Sequence, residues 1–291
     1  MPRPRAIVPL LLCLLTLATP AAAAPTGAPA PAQRVVSLNP SLTAILLALD
    51  ARASLVGVDD RSAQELPELA DLPKVGGLFN PSLESIVALE PDLVVWVPSA
   101  EQRDLRDRLE ALSVAVLPLE NTTMRELLVS IEELGARVGR VRQARQRLRE
   151  IRHVFLEVDR APPRGDPPRT VLVIQRDPLY VVGRGSFLDS MLATAGADNV
   201  ADEFSEAYPR VELEWLIAAA PELILDAASD PGQAAEHWSR WPSIPAVASG
   251  RIVQVPAEVT LPGPHLDRAV RWLARAVRSD SGAPAAAPPA P

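Results

Sequence analysis

The side chains able to carry chemistry are few and scattered. Cys13 is the single cysteine and sits inside an N-terminal apolar run, while the three histidines, His153, His237 and His265, are far apart in the chain. Hydrolysis by a covalent route needs a nucleophile held by a base, and no Gly-x-Ser-x-Gly turn or second thiol is present to supply one. GRGSF at residues 183–187 is glycine-rich but lacks the lysine and spacing of a phosphate loop. It reads as a turn and a helix start, with Ser186 as the cap. A bare metal ion would call for three or four converging ligands, which three dispersed histidines do not offer. What remains is the chemistry of a binding cleft: aromatic walls and a small number of placed polar groups.

Parallel α/β sheets bind ligands outside the carboxyl ends of their strands. Applied to the strand-like segments of this chain, that rule selects Asn39, Pro40 and Ser41 after RVVSL, Asp60 and Arg61 after SLVGV, Phe79 in the stretch before SLESIVAL, and Trp96 at the end of DLVVWV. In the second half it selects Arg176 and Tyr180 after TVLVIQ, then Glu258 and His265 after the last strand. Each has a plainer alternative. Phe79, Trp96 and Tyr180 could be packed aromatics, Arg61 and Arg176 surface charges, and His265 a first-turn residue of the last helix.

The elements that must hold these residues alternate. Short β-branched runs such as RVVSL, SLVGV, DLVVWV and VAVLPL are interleaved with the helix-spaced SLTAILLALD, SLESIVAL and LRDRLEAL. Such alternation implies crossover units and mostly parallel sheets. The second half repeats the first: SLESIVALEPDLVV (82–95) matches ELEWLIAAAPELIL (212–225) at an offset of 130, and Pro118 and Glu120 match Pro256 and Glu258 at an offset of 138. Glu84 and Glu214 fall at equivalent points of the two copies, in the first turn of a helix, where the helix dipole favours an acid.

Residues 122–160 lie between the copies, with Leu127, Ile131, Leu134, Val138, Val141, Leu148, Ile151 and Phe155 in helical spacing and prolines beyond. The spacing predicts one long backbone helix of some 35 residues, roughly 50 Å at about 1.5 Å per residue. The expected fold is therefore α/β: two lobes with mostly parallel sheets, residues 34–121 and 161–280, joined by that helix. A strut without an obvious bending point leads us to expect little lobe movement on binding.

Arg3 and Arg5, the apolar run behind them and the alanines at 21–24 have the form of a cleaved secretory signal over residues 1–24. The run is too short to cross a bilayer, so the exported remainder is expected not to be membrane-embedded. The Pro- and Ala-rich stretches 25–33 and 281–291 read as a disordered linker and tail. A net charge of −7 makes nucleic acid an unsuitable partner. The arginines of 137–152 are interspersed with acids and read as a solvated helix face.

Five stretches, RVVSLNPSLTAILLAL, LPKVGGLFNPSLESIVALEPDLVV, VVGRGSFLDSMLATAGADNVA, VELEWLIAAAPELIL and PGPHLDRAVRWLA, resemble in content and order the periplasmic binding proteins for vitamin B12, haem and ferric siderophores. VGGLFNPSLESIVALEPDLVV looks most like the vitamin B12 branch. The resemblance implies two α/β lobes, a periplasmic location, no catalytic activity, no resident cofactor or metal, and delivery of a small molecule to the permease of an ABC importer. A corrinoid is the implied ligand, with haem or a ferric siderophore as the alternative; a secreted enzyme and a receptor feeding a sensor stay open as more distant readings. It also implies that Glu84 and Glu214, one on each lobe, dock with arginines of the permease.

Overall fold

The computed structural model describes residues 30–99, 103–162, 165–228 and 233–279. The expected signal (1–24) and tail (281–291), with most of the expected linker, lie outside them. Chain order is β1 (Val35–Ser37), α1 (Pro40–Ala48), β2 (Leu55–Val58), α2 (Asp60–Glu65), α3 (Leu83–Ala88), β3 (Leu93–Trp96), α4 (Arg103–Ala111), β4 (Val116–Pro118), α5 (Met124–Arg137) and α6 (Val141–Asp159). It continues with β5 (Arg169–Arg176), β6 (Leu179–Val181), α7 (Phe187–Ala195), β7 (Asp198–Asn199), α8 (Leu213–Ala219), β8 (Leu223–Asp226), α9 (Ala234–Trp238), α10 (Pro245–Ala248), β9 (Ile252–Gln254), α11 (Ala257–Thr260) and α12 (Leu266–Arg278). Among these helices none is long and apolar enough to cross a membrane.

The first sheet has the order β2-β1-β3-β4 and is parallel throughout. The second runs β6-β5-β8-β9, with β7 also on β5; only β6 is antiparallel. Strand side chains alternate between faces, and both faces of each sheet are buried. Val35 and Val95 turn to one core while Val36, Val94 and Trp96 turn to another, with Ile86 and Leu109. In the second sheet Leu172 and Leu225 face the first of these cores, and Val171, Val173 and Ile224 face a third, with Leu216 and Trp238. One core is thus shared by both sheets. It is built from the helices between them: Leu42 and Ile45 of α1, Leu127 and Ile131 of α5, Ile151 of α6, Phe187 and Met191 of α7, and Trp272 and Leu273 of α12.

The duplication is visible in hydrogen bonds. Arg34, before β1, donates from Nη2 to Leu89 O at the end of α3, and its backbone N–H donates to Asp92. Arg169, opening β5, donates from Nη2 to Ala219 O at the end of α8, and its backbone N–H donates to Glu222. Glu90 and Ala220, 130 residues apart in sequence, both end their helices at positive φ (46° and 45°) before a proline. The second sequence match is corrected, however. Trp96 pairs with Pro118 in the first sheet and Asp226 with Gln254 in the second, so the last strands correspond at an offset of 136 rather than 138. The counterpart of Glu120 is therefore Pro256, not Glu258.

The expected long helix is also corrected: it is two helices with a closed corner. Arg140 N–H donates to Gly135 O at 2.6 Å and Gly139 N–H to Ala136 O at 3.4 Å, while Gly139 has φ +70°. This is a Schellman stop, with glycine in the left-handed position where side chains are disfavoured. Gly135 and Ala144 would lie about 13 Å apart along a straight helix. Instead a Cβ built on Gly135 would overlap the Ala144 methyl. The bridge between the lobes is thus α5, packed on α1 of the first lobe and α7 of the second, while α6 folds back onto α12. Thr123 and Glu126 close the start of α5 with a capping box.

Candidate functional site

The loop edge of the first sheet is organised by side-chain caps. Asn39 Oδ1 accepts from Ser41 N–H at 2.9 Å and starts α1, with Pro40 in its first turn. Asp59, fully buried, starts α2 by accepting from the N–H groups of Arg61 and Ser62 at 3.0 and 2.9 Å, and it also accepts from the Ser62 hydroxyl. A hydroxyl chain continues from Ser62 to Thr43 (2.9 Å) and on to Ser37 (2.8 Å). Burial pushes the Asp59 carboxyl above its ordinary value, against the lowering effect of the Ser62 hydrogen bonds.

Asp60 is half-buried and donates its N–H to Gly76 O at 2.9 Å. That bond sets the 76–81 loop beside the end of β2. The loop closes through the Gly76–Pro81 bridge, with Gly76 at φ +103°, and Ser82 caps α3 behind it. Phe79 at its tip is 61% exposed, more than any other large apolar side chain among the described residues. Trp96 takes the opposite course. It is 4% exposed and packed in the first lobe's outer core with Leu105 and Leu109. Arg61 lies on the surface, paired with Glu65 at 2.5 Å.

The second sheet's loop edge carries a buried network that the sequence reading had only in part. Arg176, 10% exposed, donates from Nε to Asp226 Oδ2 at 2.9 Å, and Asp226 is fully buried. Trp238 Nε1 donates to the same oxygen at 2.6 Å and Ala228 N–H to the other at 3.0 Å. Gln254 reaches the Asp226 carbonyl at 2.8 Å. A buried charge is tolerated when it is paired and its lone pairs are filled, as they are here. His237 and Trp241 extend the wall, with His237 edge-on to Trp238 at 4.8 Å and Arg240 over Trp241 at 4.6 Å. Burial first, then the Arg176 and Arg240 charges, hold the His237 imidazole below its usual value.

The remaining selected residues spread out. Tyr180 is half-buried and pairs with Gln175 in the ladder, not with Arg176. Glu258 is exposed in the first turn of α11. His265 stands at the start of α12, where burial and then the Arg268 and Arg147 charges hold its pKa down. Glu84 and Glu214 are exposed in the first turns of α3 and α8.

Among the described residues seven buried side-chain polar atoms have no hydrogen-bond partner. Five of them, on Ser41, Trp96, Ser99, Arg176 and Gln254, stand at the carboxyl ends of strands or within four residues after them, and the sixth, on His265, follows α11 at the start of α12. The seventh, on Arg251, is at the opposite end of β9. Buried polar groups are rarely left unpaired; Trp96 Nε1 is enclosed in the first lobe's outer core, whereas Arg176 and Gln254 belong to the network around Asp226.

Two parallel-stranded lobes bridged by a helix, with capped loops and unpaired polar atoms along the strand ends, define a solute-binding receptor. Residues 35–259 match the family described as periplasmic binding protein, and the chain belongs to that family, whose members bind solutes. A vitamin B12-binding protein of Yersinia pseudotuberculosis is 31% identical over 227 residues, covering 77% of this chain and 76% of that one. One from Vibrio campbellii is 26% identical over 227 residues, covering 76% of this chain and 80% of that one. Of solved structures, the periplasmic vitamin B12-binding protein BtuF of Vibrio cholerae superposes with a TM-score of 0.70 at 23% identity, covering 86% of this chain and 98% of that one. The periplasmic haem-binding protein RhuT of Roseiflexus superposes with a TM-score of 0.71 at 23% identity, covering 85% and 98%. These superpositions establish the fold.

Asp226, Trp238 and Gln254 were missed by sequence reasoning. Asp226 follows an apolar strand and looks like a strand boundary. Its register with Trp96, 130 residues earlier, was the available signal.

Proposed function

We propose that this protein captures a corrinoid such as vitamin B12 in the periplasm, after export, and hands it to the permease of an ABC importer. The observation that carries the ligand class is the 31% identity to vitamin B12-binding relatives across 227 residues, 77% of the chain. A corrinoid arrives with its metal already chelated, so the receptor supplies shape, aromatic surface and a few polar contacts instead of metal ligands. Exposed Phe79 and half-buried Trp241 offer the first two, and the unpaired Arg176 and Gln254 atoms at strand ends offer the third. Glu84 and Glu214, exposed at matching places on the two lobes, suit a partner that grips both lobes at once.

The test is direct. The purified mature protein is mixed separately with cyanocobalamin, haemin and a ferric hydroxamate siderophore, desalted, and read by visible absorbance. Retention of the corrinoid spectrum is the expected result. Retention of haemin or siderophore with no corrinoid would overturn the proposal.

A further inference from the structure

Arg176 and Gln254 are anchored on the same residue, one on its carboxylate and the other on its backbone carbonyl. Arg176 Nε donates to the Asp226 carboxylate at 2.9 Å, and Gln254 Nε2 donates to the Asp226 carbonyl at 2.8 Å and the Ala228 carbonyl at 3.4 Å. Those two carbonyls fix the orientation of the Gln254 amide, since a flipped amide would set oxygen against oxygen. What each side chain has left over is complementary: Arg176 keeps a buried donor, Nη2, and Gln254 a buried acceptor, Oε1, and neither has a partner in the protein. Arg176 is nine-tenths buried.

From this juxtaposition we infer that Arg176 and Gln254 form a subsite for a primary carboxamide of the ligand, with Arg176 Nη2 donating to the amide oxygen and Gln254 Oε1 accepting from the amide N–H. The inference rests on the corrinoid reading, because corrinoids carry several such amides on their rim. The same geometry disfavours a carboxylate. The guanidinium charge is already neutralised by Asp226, which accepts three hydrogen bonds. An incoming carboxylate would bring a second negative charge near Asp226 and set its oxygens against Gln254 Oε1. A carboxamide is neutral and satisfies donor and acceptor together. Sites built to hydrogen-bond a specific group reject analogues that leave a buried polar atom unpaired.

The experiment compares cyanocobalamin with its separated monocarboxylic acids, made by mild acid hydrolysis of single rim amides, as ligands for the wild type, Gln254→Met and Arg176→Lys. The wild type is expected to bind at least one monoacid about tenfold more weakly than the parent amide, the scale of one mismatched hydrogen bond. Gln254→Met, which keeps side-chain length but removes the acceptor, is expected to weaken cyanocobalamin and to shrink the amide-to-acid ratio for that monoacid to within about threefold. Arg176→Lys keeps a cation for Asp226 but loses the second nitrogen, and should weaken cyanocobalamin likewise. Circular dichroism and Tm accompany each variant, and Gln254→Asn, which retracts the acceptor, carries the same test if the methionine variant does not fold. If wild-type protein binds no cyanocobalamin, the corrinoid reading falls and this inference with it. If cyanocobalamin binds but every monoacid binds equally well, or the ratio persists in Gln254→Met, the subsite alone is overturned, and the two atoms serve water or each other.

Discussion

Replacing Gly135 by Ala tests the corner between α5 and α6 through the sign of its effect. In the interior of a straight, uncrowded helix, Gly to Ala stabilises by about 0.8–1 kcal/mol through propensity alone. Here the new methyl would overlap the Cβ of Ala144 and lie 3.3 Å from the Arg140 carbonyl oxygen. Ala144 has no flexible side chain to move aside, so the two helices must separate. Overpacking of this kind costs about 1–3 kcal/mol. The propensity gain offsets part of that and leaves a net loss of about 1 kcal/mol, equivalent to a Tm lower by about 2–4 °C for a domain of this size. The reciprocal pair Gly135→Ala/Ala144→Gly moves the methyl from one helix to the other and should recover part of the loss, the remainder being the cost of glycine in α6. Thermal unfolding followed by circular dichroism measures all three proteins. A Tm for Gly135→Ala above that of the wild type would refute the corner and restore a continuous strut.

Two further outcomes are expected. Because burial raises the folded pKa of Asp59 above its unfolded value, the stability this group contributes is fully present below the unfolded pKa and is lost as pH rises through the folded one. Asp59→Asn keeps a capping oxygen, so its Tm relative to wild type should rise between pH 4 and pH 7; a constant difference across that range would contradict the burial argument. Glu84→Ala/Glu214→Ala changes two exposed side chains outside the strand-end loops, and should leave folding and cyanocobalamin binding within error while reducing corrinoid-dependent growth, each single replacement doing less. Undiminished growth of the double variant would remove the docking role.

Most of the architecture was legible because the relevant signals are local. The apolar run between Pro91 and Pro98 became the central strand β3, and Ser186 became the cap its position suggested. The corner was misread because a helical period continues through residues 138–141. Gly139 falls inside that period, and its left-handed φ, which closes the helix, is not visible in the spacing. The two-residue β7 and the antiparallel β6 carry too short a pattern to be seen. In the candidate site, Asn39, Asp60, Trp96 and Arg176 fall at or within two residues of strand ends, while Tyr180, Glu258 and His265 lie in β6, in α11 and before α12, and burial was not legible for any of them. Phe79 and Trp96 are similar in sequence terms, and only tertiary packing separates an aromatic on a loop tip from one beneath a helix. The Arg176–Asp226–Trp238 network joins residues 12 to 62 positions apart, which no local spacing announces.

The core shared between the two sheets bears on how a captured ligand would be released. Leu127 and Ile131 of α5 belong to the same buried cluster as Ile45 in the first lobe and Phe187 and Met191 in the second. Swinging the lobes apart about α5 would strip some of these side chains of their neighbours, and each large apolar side chain brought into water costs about 1.5–3 kcal/mol. Exposing three would cost roughly 5 kcal/mol or more, which leaves a wide-open form at well under one molecule in a thousand at equilibrium. The clasp is closed by default. On the proposed function, a permease that grips both lobes through Glu84 and Glu214 would have to do that work on the receptor to unload it.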